Sequence, residues 1–218
     1  MVDNVKFALP DSLAFRACHV QRRRKSRKAK TPTPTAITKV FINLKPAANN
    51  YYSLGTPWTP AANFELEFNI VGQPQSDKKI LTFENSTSTF NIGTESNGDM
   101  QALRIHSTAD GGSVNSNASI LNGKLNSVKI IYDSVTATVS ILINNVVDVV
   151  SFVAPFDFSD TTAIEIGKEI GYTAYNFLGI ISDVKLTDIA TPANSLEYGL
   201  YELTANTETS NGNVLTYQ

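Results

Sequence analysis

Phe64-Glu65-Leu66-Glu67-Phe68-Asn69-Ile70 alternates apolar and polar residues without a break. Successive side chains of an extended chain point to opposite faces. Phe64, Leu66, Phe68 and Ile70 therefore share one face, and Glu65, Glu67 and Asn69 share the other. One face suits a core and the other suits water, as in a sheet covered on one side. Working outward from this run, the same short pattern returns at Ile80 to Phe83, Thr89 to Ile92, Leu103 to His106 and Leu125 to Tyr132. It continues at Thr136 to Ile143, Val146 to Val153, Ala163 to Gly167 and Phe177 to Leu186. Asp133-Ser134 and Asn144-Asn145 read as the turns between the central strands. Asn tolerates positive φ, so the paired asparagines suit a tight hairpin. Roughly ten to twelve short strands at regular spacing, with no helix after residue 35, indicate a two-sheet sandwich or a barrel. Within residues 195–218, Leu196, Tyr198 and Leu200 alternate and offer one more edge strand.

The chain has 218 residues, 42% hydrophobic and 17% charged, which suits one sizeable β domain. No apolar run approaches the ~20 residues of a membrane-spanning helix, so no membrane partner is expected. The first ten residues include Asp3 and lack the apolar stretch of a secretory signal. Cys18 is the only cysteine, so no internal disulfide forms. The net charge of −2 hides an asymmetry. Residues 1–30 hold nine Lys/Arg and two acids (+7), whereas residues 31–218 hold nine and eighteen (−9). Such a split marks a basic arm with its own partner. Within the arm, residues 11–28 have a helical spacing with Asp11 as N-cap. Arg22, Arg23, Arg24, Lys25, Arg27, Lys28 and Lys30 put seven cations into nine residues. They are the candidate docking residues for a particle surface or for phosphates, and binding of that kind weakens with salt. No aromatic residues are interleaved with them, so nucleic-acid contact would be non-specific. Thr31-Pro32-Thr33-Pro34-Thr35 is an extended spacer. The expected organisation is an arm at 1–30, a linker at 31–38 and a β domain at 39–218.

Two segments carry a family resemblance. The first runs Asn122-Gly123-Lys124-Leu125-Asn126-Ser127-Val128-Lys129-Ile130-Ile131-Tyr132-Asp133 and on through Thr138 to Asn145. It resembles the middle hairpins of laminin-G-like and concanavalin A-like lectin domains. The second joins Ile164-Glu165-Ile166-Gly167 to Phe177-Leu178-Gly179-Ile180-Ile181-Ser182-Asp183-Val184-Lys185-Leu186 and is similar to the closing strands of that family. The resemblance implies an all-β, two-sheet antiparallel jelly-roll sandwich over about residues 40–190. Leu125 stands where the family often has Trp, a change expected only to alter core filling. Asn145 stands where the family has the turn Gly. A basic arm joined to such a domain also looks like a bacteriophage appendage protein, a fibre or capsid decoration.

Chemistry has little material in the globular part. Glycoside hydrolases on this fold resemble one another in a Glu-x-Asp-x-(x)-Glu strand. Glu65-Leu66-Glu67 and Glu165 to Glu169 lack its central Asp, so both are expected to be solvent-facing carboxylates. His19 and His106 lie in different segments, and Cys18 lies in the arm, so no nucleophilic triad assembles. The chain is not expected to be an enzyme, and no cofactor is called for. Calcium is the alternative, through Asn97, Asp99, Asp110, Asn115 and Asn117, but these residue types beside Gly are the ordinary formers of turns. For carbohydrate, aromatic faces and amides are needed. Trp58, Tyr172, Tyr175 and Asn176 fall in loops at one rim and are the candidate sugar-binding residues. The competing reading has Trp58 plugging the sandwich end and the tyrosines packing over loops. The functional expectation is a virion structural protein whose arm docks on other virion proteins and whose lectin-like domain is displayed, with host surface glycan as its candidate ligand. The alternative is a free-standing carbohydrate-binding module. A homo-oligomer is compatible with either, although residues 187–218 contain no coiled-coil heptad.

Overall fold

The computed structural model describes residues 43–44, 51–97, 100–109, 111–153, 156–172, 174–200 and 207–217. The arm, its seven docking cations, the linker, Asp99 and Asp110 lie outside the described residues. The strands are β1 Asn43–Leu44, β2 Tyr52–Leu54, β3 Phe64–Gly72, β4 Lys79–Asn85, β5 Thr89–Asn97, β6 Met100–Ser107, β7 Ser113–Ser119 and β8 Asn126–Asp133. They continue with β9 Thr138–Ile143, β10 Val146–Phe152, β11 Thr161–Ile166, β12 Gly179–Asp188, β13 Leu196–Tyr198, β14 Thr207–Ser210 and β15 Asn213–Tyr217.

The strands form two antiparallel sheets packed as a sandwich. The smaller runs β1-β12-β3-β8-β9-β10, with β13 also pairing β12. The larger runs β14-β15-β2-β11-β4-β5-β6-β7. The alternation in β3 is obeyed along its whole length, with Phe64, Leu66, Phe68 and Ile70 buried and the residues between them only partly covered. At one end of the core Phe158, on a 3-10 turn (Phe158–Asp160), meets the rings of Phe64, Phe83, Phe90, Tyr132 and Phe156 at centroid distances of 4.6–5.4 Å. Edge-to-face pairs of this kind add about 0.5–1.5 kcal/mol each beyond burial. Asn144 and Asn145 both have positive φ (54° and 65°) and close the β9–β10 hairpin as their sequence implies.

Several local expectations need correction. The β8–β9 connection is Ser134 to Ala137, longer than an Asp133-Ser134 turn, because Asp133 Oδ1 accepts from the Val135 N–H and Ala137 takes φ 49°. Leu125 is exposed and does no core filling. Asn115 and Asn117, read as turn formers, lie instead on an edge strand, Ser113–Ser119. Of its two inward residues, Val114 and Ser116, the first registers against Ile105, while Asn117 binds Asp148 of β10 through its backbone N–H (2.5 Å to Oδ2) and its side chain (2.9 Å to the carbonyl). That contact stitches the edges of the two sheets. The C-terminal segment serves both sheets: β13 pairs β12, while the β14–β15 hairpin joins the larger sheet through β2.

Candidate functional site

On the larger sheet the residues between core positions point outward. Asn91 alternates with Phe90 and Ile92, and Arg104 and His106 flank Ile105. Cross-strand pairing sets Asn91 beside His106 and Gly93 beside Arg104. A register shift at the start of β4 swings the Lys78 carbonyl over β5, where it accepts from the Thr94 N–H at 2.8 Å. A Cβ on Gly93 would lie 2.5 Å from that carbonyl oxygen, so only glycine allows the approach.

After β11 the chain folds back over this face. The Lys168 carbonyl and Asn91 Oδ1 both lie within hydrogen-bonding reach of Thr82 Oγ1, at 3.0 and 2.9 Å. Gln75 grips Leu178 twice, accepting from its N–H at 2.9 Å and donating to its carbonyl at 2.7 Å. Lys78 Nζ donates to the Ala174 carbonyl (2.6 Å) and the Lys79 N–H to the Tyr175 carbonyl (2.8 Å). Between loop and sheet lies an open cleft of about 250 Å³ lined by Asp77, Lys79, Asn91, Arg104, His106, Thr108, Glu169, Tyr172 and Tyr175. A second depression of about 360 Å³ shares Thr108, Glu169 and Tyr172 and runs to the β4–β5 turn at Asn85 to Ser88.

The polar groups in the cleft are held in place. Lys79 Nζ lies 2.9 Å from Asp77 Oδ1, 3.9 Å from Glu169 Oε2 and 5.2 Å from the centre of the Tyr175 ring. Asn91 donates to Glu169 Oε1 at 3.4 Å, and Arg104 Nη1 lies 2.5 Å from Glu95 Oε2. His106 Nδ1 sits 3.1 Å from the Gly112 carbonyl, which can only accept, so Nδ1 carries the proton of that contact. Burial pushes the Glu169 carboxyl above the usual carboxylate range, and the Asp77 charge adds to this. Lys79, Asn91 and His106 oppose it. Glu165 is raised mainly by burial, with Lys168 opposing. Glu165 and Glu169 are therefore not the solvent-facing carboxylates that their sequence suggests: their side chains are only 12% and 14% exposed. Glu65 and Glu67 do face solvent beside Lys129.

The structure divides the candidate sugar residues. Tyr172 (55% exposed) and Tyr175 form a T-shaped pair at 5.6 Å on the wall of the cleft. Trp58 is removed from any contact surface. It is 1% exposed, packs edge-on to Phe64 at 5.5 Å and donates Nε1–H to the Asn194 carbonyl at 2.7 Å, so it plugs the sandwich end. Asn176 is buried, and its backbone bridges that of Lys79. Asp77, Lys79, Arg104, His106 and Glu169 join the site without having been singled out for it. Their outward phase was legible at Arg104 and His106, but the loop that covers them was not. Among the described residues no group of three or more His, Cys, Asp or Glu is placed to hold a metal ion. Nor is any helix among them long and apolar enough to cross a membrane.

No family model and no curated protein matches the sequence. Solved structures do match in shape. A heptameric SAP-like pentraxin from Limulus polyphemus superposes with a TM-score of 0.54 at 14% identity, over 69% of this chain and 76% of that one. A Bacteroides ovatus protein assigned as carbohydrate-binding gives 0.53 at 17% identity, over 82% and 58%. Domains LG4-5 of the mouse laminin α1 chain give 0.51 at 12%, over 72% and 47%. The fold is the concanavalin A-like, laminin-G-like jelly roll. At these identities the likeness is one of fold. The jelly roll spans little more than half of the Bacteroides protein and about half of the laminin pair.

Proposed function

We propose that this jelly-roll domain is a non-catalytic carbohydrate-binding module and that glycan lies in the cleft under the Tyr172–Tyr175 loop. The carrying observation is the exposed Tyr172 ring standing over a floor that mixes donors and acceptors (Lys79, Arg104, Thr108, Asp77, Glu169, His106). A pyranose presents an apolar face to a ring and a rim of hydroxyls that both donate and accept, which this combination matches. The Bacteroides neighbour, assigned as carbohydrate-binding, supports the same reading. Glycan-array binding of the full chain tests it. Tyr172→Ala is expected to weaken binding at least ~10-fold while leaving the melting temperature within a degree or two, since exposed positions carry little stability. A panel of neutral and acidic polysaccharides that binds nowhere, or a Tyr172→Ala variant that binds as wild type, would contradict it.

Display on a virion is a second reading, favoured by the charge split between the arm (+7) and the remaining residues (−9). In it the cations Arg22 to Lys30 hold the chain to an assembly by charge-assisted contacts and the module faces outward. Replacing these seven residues with Gln should abolish particle association and leave glycan binding intact.

A further inference from the structure

Resting on the carbohydrate reading, we infer that the ligand is a run of consecutive sugar residues in a linear glycan, laid across the Tyr172 ring, and not a single terminal sugar. Two depressions meet at this ring. The cleft of about 250 Å³ lies on the Tyr175 side, and the one of about 360 Å³ runs to the β4–β5 turn. Thr108, Glu169 and Tyr172 line both. The first is smaller than the roughly 300–1,000 Å³ of ordinary small-molecule sites, whereas the joined groove falls inside that range. Tyr172 is exposed at the junction, so a sugar stacked on its ring leaves a depression for a neighbour on either side.

The floor is continuous under both. Thr108 Oγ1 lies 3.4 Å from Thr89 Oγ1, which accepts from the Asn91 amide at 2.9 Å. The same amide donates to Glu169 Oε1 at 3.4 Å. This chain of side chains carries hydrogen-bonding groups from the cleft to the second depression without an apolar break. The far end is already ordered. Asn85 Oδ1 accepts from the N–H groups of Thr87 and Ser88 (3.0 and 2.8 Å) and from their hydroxyls (3.2 and 3.0 Å). The Asn85 amide donates to the Asp157 carbonyl at 3.1 Å, and the Ser86 hydroxyl donates to Asp160 at 2.6 Å. Because the Thr87 and Ser88 hydroxyls donate inward, their lone pairs are left to accept from sugar hydroxyls. A ligand therefore meets this end of the groove already formed and loses little in ordering it.

Titration calorimetry of the full chain with linear oligosaccharides of increasing length tests this. The probes are the gluco-, xylo-, manno-, galacto- and galacturono-series, each from the monosaccharide upward. In any series that binds, affinity is expected to rise at least ~10-fold between the monosaccharide and the trisaccharide. The double variant Thr87→Val, Ser88→Ala removes two acceptors at the far end and keeps both N–H bonds to Asn85. It should bind the trisaccharide at least ~5-fold more weakly and the monosaccharide as wild type does. Its melting temperature shows whether it is folded, and if it is not, the wild-type length series decides alone. Equal affinity for monosaccharide and trisaccharide, or an unchanged length dependence in the folded variant, overturns the spanning groove and leaves glycan binding in place. No binding by any member of any series overturns the carbohydrate reading and the groove together.

Discussion

The two outer faces of the sandwich begin from the same pattern and end differently. On the smaller sheet Glu65, Glu67 and Lys129 project from β3 and β8, with side chains 26–41% exposed and salt bridges open to water. On the larger sheet Lys79, Glu169, Glu165 and Lys168 are at 11–14%. Period-two alternation gives both faces outward charges. Among the described residues, only the larger sheet has a connection, residues 167–172 and 174–178, folded back across it and gripped by Gln75, Lys78 and Lys79. A strand pattern therefore says which residues leave the core. A covering loop decides whether they become a site or merely a solvated surface.

Substitutions can sharpen that contrast. Trp58→Ala should have the largest effect, a loss of about 3–5 kcal/mol read by denaturant unfolding, because it empties a buried ring site. A folded variant that has lost only glycan binding would return Trp58 to the surface. Asp188→Ala should follow, at about 2–4 kcal/mol. Its buried carboxylate accepts from the N–H groups of Ala61, Ala190 and Thr191 and from the Asn194 amide, tying the Trp58 loop to the end of β12. On the solvated face, Lys129→Ala should cost no more than about 1 kcal/mol and leave glycan binding unchanged, as befits pairs in water.

pH separates the covered carboxylates of the larger sheet from the buried Asp188 as well. Burial raises Glu165 and Glu169, so the folded state holds protons there that the unfolded chain gives up. Stability then rises as pH falls from neutral through their folded values toward the unfolded carboxylate range. For Asp188 burial pushes upward, but the N–H groups of Thr191, Ala61 and Ala190 and the Asn194 amide outweigh it, so the carboxyl sits low. Its contribution is present above the unfolded value and is lost as pH falls through the folded one. The melting temperature should therefore creep up by a few degrees between neutral pH and the upper carboxylate range and fall below about pH 4. In Glu165→Gln, Glu169→Gln the rise should vanish and the acid fall should remain.

Much of the fold was legible. The alternation at Phe64 to Ile70 and the Asn144-Asn145 turn stand where the pattern puts them, because each depends on local geometry and burial of one face. The closing strand read at Phe177 to Leu186 instead runs Gly179–Asp188, Phe177 and Leu178 belonging to the covering loop. Ser113–Ser119 was not legible, since an edge strand held by backbone pairing and by Asn117 on Asp148 shows almost no apolar period. The site was half legible. Tyr172 and Tyr175 announce themselves as loop aromatics, yet so does Trp58, and nothing local separates a ring that plugs a core from one that overlooks a cleft. Asp77, Arg104 and Glu169 come together from three distant segments, and only the folded sheet brings them to one cleft.

Backbone amide hydrogen exchange of the full chain, with and without a bound glycan found on the array, tests the central claim most directly. The account predicts slowed exchange confined to residues 77–79, 84–91, 104–108 and 169–175, with Glu65, Glu67 and Lys129 on the opposite face unaffected. Protection centred on β3 and β8, with the loop over the larger sheet unchanged, would contradict it.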